Sequence, residues 1–228
     1  MSRFSDIKLI AFDLDGTLLD SVPDLAIAAD LTMQDFGYPR VSLEQASHWI
    51  GNGADVLIAR ALSGSMSIDP TLSPELVKEA RKRFDQHYKQ GEHKLSHLYP
   101  HVLSTLETLK KAGFTLALVT NKPAKFVPEL LVQHQLDHLF SDVIGGDTFT
   151  EKKPNPMSLN WLLEKHGVTA NQVVMVGDSK NDIKAAHNAG CYSIGLTYGY
   201  NHGEPIANSN PDCIYDDFEQ IVSSFSLS

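Results

Sequence analysis

Apolar residues along this chain fall into short unbroken runs, separated by longer stretches in which they recur every three or four positions. The runs "KLIAFD" (8–13), "TLALVTN" (115–121), "SDVIGG" (141–146), "VVMVGD" (173–178) and "YSIGLTYG" (192–199) are rich in β-branched and aromatic residues and predict buried strands, with "DCIYDD" (212–217) a weaker sixth. Between them the spacing predicts helices over 100–113, 124–136, 155–167 and 180–190. The first carries Val102, Leu103, Leu106 and Leu109 on one face, with Pro100 near its start and Gly113 at its end. Strands alternating with helices imply a parallel sheet covered on both faces, a doubly wound, Rossmann-like α/β fold.

One segment breaks the alternation. From Ser21 to Gln90 no strand pattern occurs, and amphipathic stretches predict three or four helices, among them 53–62 and 73–91. Ser21, followed by Val22-Pro23-Asp24, reads as the N-cap of the first. Roughly 70 residues without a strand is too long for a loop between a strand and its helix. The expectation is a helical cap domain (20–91) inserted into an α/β core domain (1–19 and 92–228), with 91–100 as the return linker.

Composition narrows the function classes. A net charge of -9 argues against broad electrostatic binding to nucleic acid or to an anionic membrane surface. It leaves an anionic small molecule open, because a local cluster of donors can outweigh the global sign. Cys191 and Cys213 stand in no metal-ligand spacing and read as buried thiols of a reducing compartment. The apolar run near the N-terminus is too short for a signal peptide, and no stretch reaches the roughly 18 apolar residues of a membrane helix. The expected location is the cytoplasm.

The charges inside the strand pattern carry the chemistry. In doubly wound sheets, ligands bind beyond the carboxyl ends of the strands. Here the first strand delivers Asp13 and Asp15, and the second Thr120, Asn121 and Lys122. The third is followed by Lys152 and Lys153, and the fourth gives Asp178 with Asn181 and Asp182 just beyond. Carboxylates brought together repel unless a cation sits among them, and hard oxygen ligands suit Mg2+. Such a cation and a lysine together make a site for a phosphate dianion. Gly16 breaks the extended chain directly after Asp15, so the two aspartates take different jobs. Asp13 faces phosphorus as the nucleophile of an aspartyl-phosphate intermediate, while Asp15 reaches the leaving oxygen as acid and then base.

The segments "DLDGT" (13–17), "VTNK" (119–122), "KKPNP" (152–156) and "VGDSKND" (176–182) resemble, in order, the four motifs of the haloacid dehalogenase superfamily. The resemblance spans nearly the whole chain. The helical insertion resembles the cap of the superfamily's phosphatase branch. The cap stretch "WIGNGADVLIARAL" (49–62) and the core entry "LYPHVLSTLETLKKAGF" (98–114) resemble the bacterial phosphoglycolate phosphatases. The resemblance implies that Asp13 is nucleophile and Mg2+ ligand, and that Asp15 is the acid/base with its backbone carbonyl on Mg2+. It implies that Thr120 and Asn121 hold the phosphoryl oxygens and that Asp178 is a further Mg2+ ligand. Lys153, the lysine preceding proline, is preferred over Lys152 as the neutralising cation. Asp182 supports Mg2+ or Lys153 from outside.

The implied activity is Mg2+-dependent hydrolysis of 2-phosphoglycolate, a small anionic phosphorylated metabolite, to glycolate and phosphate. A sugar-phosphate phosphatase or mutase and a pyrophosphatase would use the same core. A phospho-acceptor signalling module shares an Asp, a Thr and a Lys around Mg2+, but Asp15 and the helical insertion count against it. Monomer and homodimer are both compatible with the sequence. In the cap, backbone N–H groups of Gly51, Asn52 and Gly53 open the helix 53–62 and form a candidate site for the substrate's carboxylate. Arg60 and Lys122 are alternative donors. His93, His97 and His101 recur every four residues, but Pro100 interrupts them and no cysteine joins them. They read as a solvated linker, and His134 and His138 as surface helix positions.

Overall fold

The computed structural model describes residue 4 and residues 6–226. Numbered in chain order, the strands are β1 (Leu9–Phe12), β2 (Leu19–Asp20), β3 (His97–Leu98), β4 (Thr115–Val119), β5 (Asp142–Ile144), β6 (Val173–Gly177), β7 (Tyr192–Leu196) and β8 (Cys213–Tyr215). The helices are α1 (Val22–Asp35), α2 (Leu43–Trp49), α3 (Ala54–Ser63), α4 (Pro74–Gln90), α5 (Val102–Lys111), α6 (Val127–Gln133), α7 (Met157–His166) and α8 (Lys180–Ala189). Six strands form one parallel sheet in the order β5-β4-β1-β6-β7-β8. This is the doubly wound α/β sheet that the alternation predicts. Among the described residues no helix is long and apolar enough to cross a membrane.

The continuous apolar runs follow from burial on both sheet faces. Along β1, Ile10 and Phe12 join one cluster with Leu106, Leu118, Val176 and Phe218, while Leu9 and Ala11 join another with Val119, Leu159 and Met175. Phe12 lies in register with both Leu118 and Val176, so the three central strands end level. The chain order reverses at β1, and Asp13 is the first residue beyond it. A nucleophile placed there stands at the switch point where such sheets open a crevice.

Helices α1 to α4 pack about a separate cluster that includes Leu25, Met33, Trp49, Ile58, Phe84 and Tyr88. Two short connections join them to the sheet, and there β2 pairs antiparallel with β3. Two-residue strands carry no readable periodicity, so the sequence does not predict this ribbon. Three further expectations are corrected. Ser21 precedes α1 but makes no side-chain cap; its hydroxyl turns to a carboxylate instead. The helix predicted over 124–136 divides into a 3-10 turn, Ala124–Phe126, and α6, with Pro128 in the first turn of α6. His93 is not solvated: it is fully buried, its ring 4.4 Å from that of Tyr88. His97 and His101 are exposed, as expected, and Cys191 and Cys213 are buried free thiols.

Candidate active site

Beyond β1 the chain leaves the sheet with its first carboxylate already engaged. Asp13 Oδ1 accepts the Leu14 N–H at 2.7 Å and lies 2.9 Å from Lys153 Nζ. Lys153 also donates to Asp182 Oδ1 at 2.6 Å. The other Asp182 oxygen accepts the Ser179 N–H and hydroxyl at 3.0 and 2.7 Å, so a capping box at the start of α8 fixes this carboxylate. Asp178 is held as firmly, by the Thr17 hydroxyl on Oδ1 and the Tyr200 N–H on Oδ2, both at 2.6 Å. Gly16 passes so close that an added Cβ would lie 2.2 Å from Asp178 Oδ2, and its φ of +89° is one that glycine adopts without strain.

Asp13, Asp178 and Asp182 are buried, with one oxygen from each within 4.8 Å of the others. Burial pushes the Asp13 carboxyl up to about 7; Lys153 opposes the shift, and Asp182 and Asp15 add to it. Burial, then Asp182 and Asp13, also raise Asp178 well above the ordinary carboxylate range. Four carboxylates, Asp13, Asp15, Asp178 and Asp182, face two ammonium groups, Lys122 and Lys153. With all four ionised, two negative charges would lack a partner, in a pocket of hard oxygen donors that suits a divalent cation.

Asp15 sits apart from this cluster. Its Oδ1 accepts the Ser21 hydroxyl at 2.6 Å and Lys122 Nζ at 2.9 Å. Burial works against the charge on Lys122, but Asp15 and Tyr88 outweigh it and hold the ammonium above the usual lysine value. The Tyr88 ring lies under that ammonium, 4.8 Å away. Asp13, Asp15, Thr120, Asn121 and Lys122 bound a cavity of about 40 Å3 that the cap closes with Leu25, Ile50, Gly51, Gly53 and Leu57. A larger cleft of about 460 Å3 runs between Ser47, His48 and Glu204, but it touches only Asp178 of these groups and not the nucleophile position.

Some expected residues are placed differently from their expected use. The Asn121 side-chain amide donates to the Gly51 carbonyl and the Lys153 carbonyl, each at 3.0 Å, so a phosphoryl oxygen is left with its backbone N–H. Gly51 and Gly53 line the cavity; Asn52 and Arg60 do not. Arg60 donates instead to the Trp49 carbonyl at 2.7 Å and to Asn52 Oδ1 at 3.1 Å, bracing the loop from behind. In this arrangement the Arg60 and Asn52 side chains support the cap loop and lie outside the cavity.

A family model described as haloacid dehalogenase-like hydrolase matches residues 10–196. The chain belongs to this family. Its relatives include proteins named phosphoglycolate phosphatase. That of Aliivibrio fischeri is 70% identical over 224 residues, covering 98% of this chain and 99% of the relative. That of Vibrio cholerae is 70% identical over 216 residues, covering 95% and 96%. Among solved structures, a predicted phosphoglycolate phosphatase from Haemophilus somnus 129pt matches with a TM-score of 0.88 and 45% identity over 95% of this chain and 97% of that one.

This haloacid dehalogenase-like hydrolase also uses residues that sequence reasoning left out. Thr17 and Tyr200 hold Asp178, Ser21 holds Asp15, and Asn181 reaches the cap. Thr17 was legible, since a hydroxyl follows the Asp-Gly turn directly. Tyr200 was not, because its backbone N–H serves a carboxylate 22 residues away.

Proposed function

We propose that the chain is a Mg2+-dependent phosphatase that hydrolyses 2-phosphoglycolate to glycolate and phosphate, with 1–19 and 92–228 as the catalytic core and 20–91 as the cap. Asp13 Oδ1 is occupied by Leu14 and Lys153, which leaves Oδ2 to attack phosphorus. As that bond forms, the phosphorus–oxygen bond to glycolate breaks, and Asp15 gives its proton to the departing oxygen. Asp15, now a carboxylate, takes a proton from a water that attacks phosphorus, and the Asp13 carboxylate leaves. Lys153, the Thr120 hydroxyl and the Asn121 N–H face the charge that gathers on the phosphoryl oxygens.

Mg2+ fits the two charges that lack a partner when all four carboxylates are ionised, held by Asp13, Asp178 and the Asp15 carbonyl, and when bound it supplies Lewis-acid stabilisation of the phosphoryl group. Asp182 supports the site through Lys153, to which it is hydrogen-bonded.

The position of Lys122 carries the substrate assignment. In 2-phosphoglycolate the carboxylate is one carbon from the leaving oxygen, so it must lie beside the acid. Lys122, 2.9 Å from Asp15, is the cation at that place, with the Gly51–Gly53 backbone before α3 facing it from the cap. The names of the 70% identical relatives support the same reading.

Phosphate release tests it, with Mg2+ and with chelator, on 2-phosphoglycolate, β-glucose 1-phosphate, pyrophosphate and p-nitrophenyl phosphate. The expected kcat/KM for 2-phosphoglycolate exceeds the others at least about a hundredfold and vanishes without Mg2+. Comparable values across the panel would sink the substrate, and activity indifferent to chelator would sink the metal.

A further inference from the structure

The Gly51 carbonyl of the cap accepts two side-chain amides from the core: Asn121 Nδ2 at 3.0 Å and Asn181 Nδ2 at 3.1 Å. Both asparagines are buried. They come from different loops. Asn121 follows β4 and also donates to the Lys153 carbonyl, whereas Asn181 stands in the first turn of α8 between Asp178 and Asp182. One cap carbonyl therefore gathers the loop that faces the phosphoryl oxygens and the loop that carries the acidic cluster. Gly51 has φ +108°, a conformation that suits glycine and few other residues. A third contact runs the same way, from His202 Nδ1 to the His48 carbonyl at 2.8 Å.

We infer that Asn181 is a positioning residue that seats the cap loop Gly51–Gly53 over the reacting centre, acting through the Gly51 carbonyl and not through the substrate. The role rests on the phosphatase reading for its purpose, but the contact it describes does not. The Asn181 amide is spent on the cap, so its loss weakens closure while the nucleophile, the acid and Lys153 keep their partners. A protein whose competent closed form is less populated binds its ligand more weakly by that factor and turns over normally once saturated.

The test is Asn181→Leu, which keeps the branched shape and removes the donor, read by hydrogen exchange and by steady-state kinetics. Amides of 49–57 are expected to exchange about fivefold faster, the order expected from one neutral hydrogen bond, while peptides covering β1 and β6 keep their protection. KM for 2-phosphoglycolate is expected to rise by a similar factor with kcat within about twofold. Unchanged exchange over 49–57 overturns the inference, as does a fall in kcat at constant KM, which would put Asn181 in the chemistry. Asn181→Ala decides the matter if leucine loosens the start of α8 and β6 exchanges faster too. Should 2-phosphoglycolate prove not to be the substrate, the proposed function fails while the exchange measurement still judges the contact.

Discussion

Lys122 Nζ lies 2.9 Å from Asp15 Oδ1, on the same oxygen that accepts the Ser21 hydroxyl. Two donors on one oxygen pin the carboxyl group and leave Oδ2 as its free face. Lys122 thereby serves twice: it orients the acid, and it is the cation nearest to a carboxylate carried by the leaving group. Lys122→Met is expected to lower kcat/KM for 2-phosphoglycolate about a hundredfold, the range for losing charge-assisted hydrogen bonds. Acetyl phosphate, which is of similar size but has no carboxylate and needs no acid, should lose far less. Equal losses on both substrates would deny Lys122 either role.

Asp15 is separable from Asp13 by the same pair of substrates. Asp15→Asn cannot donate a proton to glycolate, so hydrolysis of 2-phosphoglycolate should slow by at least about a hundredfold, within the usual range for general acid catalysis. Acetate departs without that proton. Release from acetyl phosphate should therefore be limited by the second step, where Asp15 acts as base, and should show a burst of acetate ahead of phosphate. A variant that slows both substrates equally, without a burst, counts against the acid role.

Asp13→Asn should abolish turnover of every phosphate ester, because no other side chain among the described residues is in place to form the acyl phosphate. It should also stabilise the metal-free protein. Burial raises the Asp13 carboxyl to about 7 from the 3.8 of an unburied aspartate. The folded state thus favours the protonated form: stability is fully present below 3.8 and is lost as pH rises through about 7. Asparagine has no proton to lose, so the Tm gain over the unmodified protein should be small at acidic pH and grow towards pH ~8. Thermal melts across that range, without metal, check it; a gain that shrinks with pH would contradict the sign.

Divalent metal should bind the folded protein alone, since unfolding scatters Asp13 and Asp178. At a hundredfold excess over Kd that is worth about 3 kcal/mol of stability, several degrees in Tm. Mg2+ is expected to raise the melting temperature of the unmodified protein and to leave Asp178→Asn nearly unmoved. The same rise in both would remove Asp178 from the metal site.

Much of this site was legible in the sequence for a physical reason. In a buried parallel strand nearly every residue must be apolar, so Asp13 and Asp178 stand out at the ends of β1 and β6 as charges that the fold tolerates only at an open edge. Lys153 was legible only through its motif, because a lysine pair is otherwise an ordinary surface feature. What escaped were uses of a residue that depend on a distant partner. Ser21 has the local environment of a helix cap, and propensity is blind to the Asp15 oxygen that claims its hydroxyl. Asn121 has the right chemistry for a phosphoryl donor, yet two carbonyls brought in by the cap and by the Lys153 loop take both its N–H bonds. The β2–β3 ribbon is too short to leave a pattern.

His93 shows the same limit and yields a prediction about pH. It sits in a polar linker, and yet the chain folds it beneath the end of α4, against Tyr88 and Phe126. Neither ring nitrogen has a hydrogen-bond partner among the described residues. Burial lowers its pKa below 6.5, and the nearby Lys122 ammonium lowers it further, against weaker pulls from Glu129, Asp24 and Asp15. The folded state therefore favours the neutral form of His93, while the unfolded chain takes up a proton at about the ordinary value. Stability from this group is complete above 6.5 and is lost as pH falls from there through the lower folded value. Denaturant melts of His93→Phe, a ring of similar size that cannot titrate, should show a shallower loss of stability between pH ~7 and ~5 than the unmodified protein. If the two slopes coincide, His93 does not titrate in that window and its burial has no electrostatic cost.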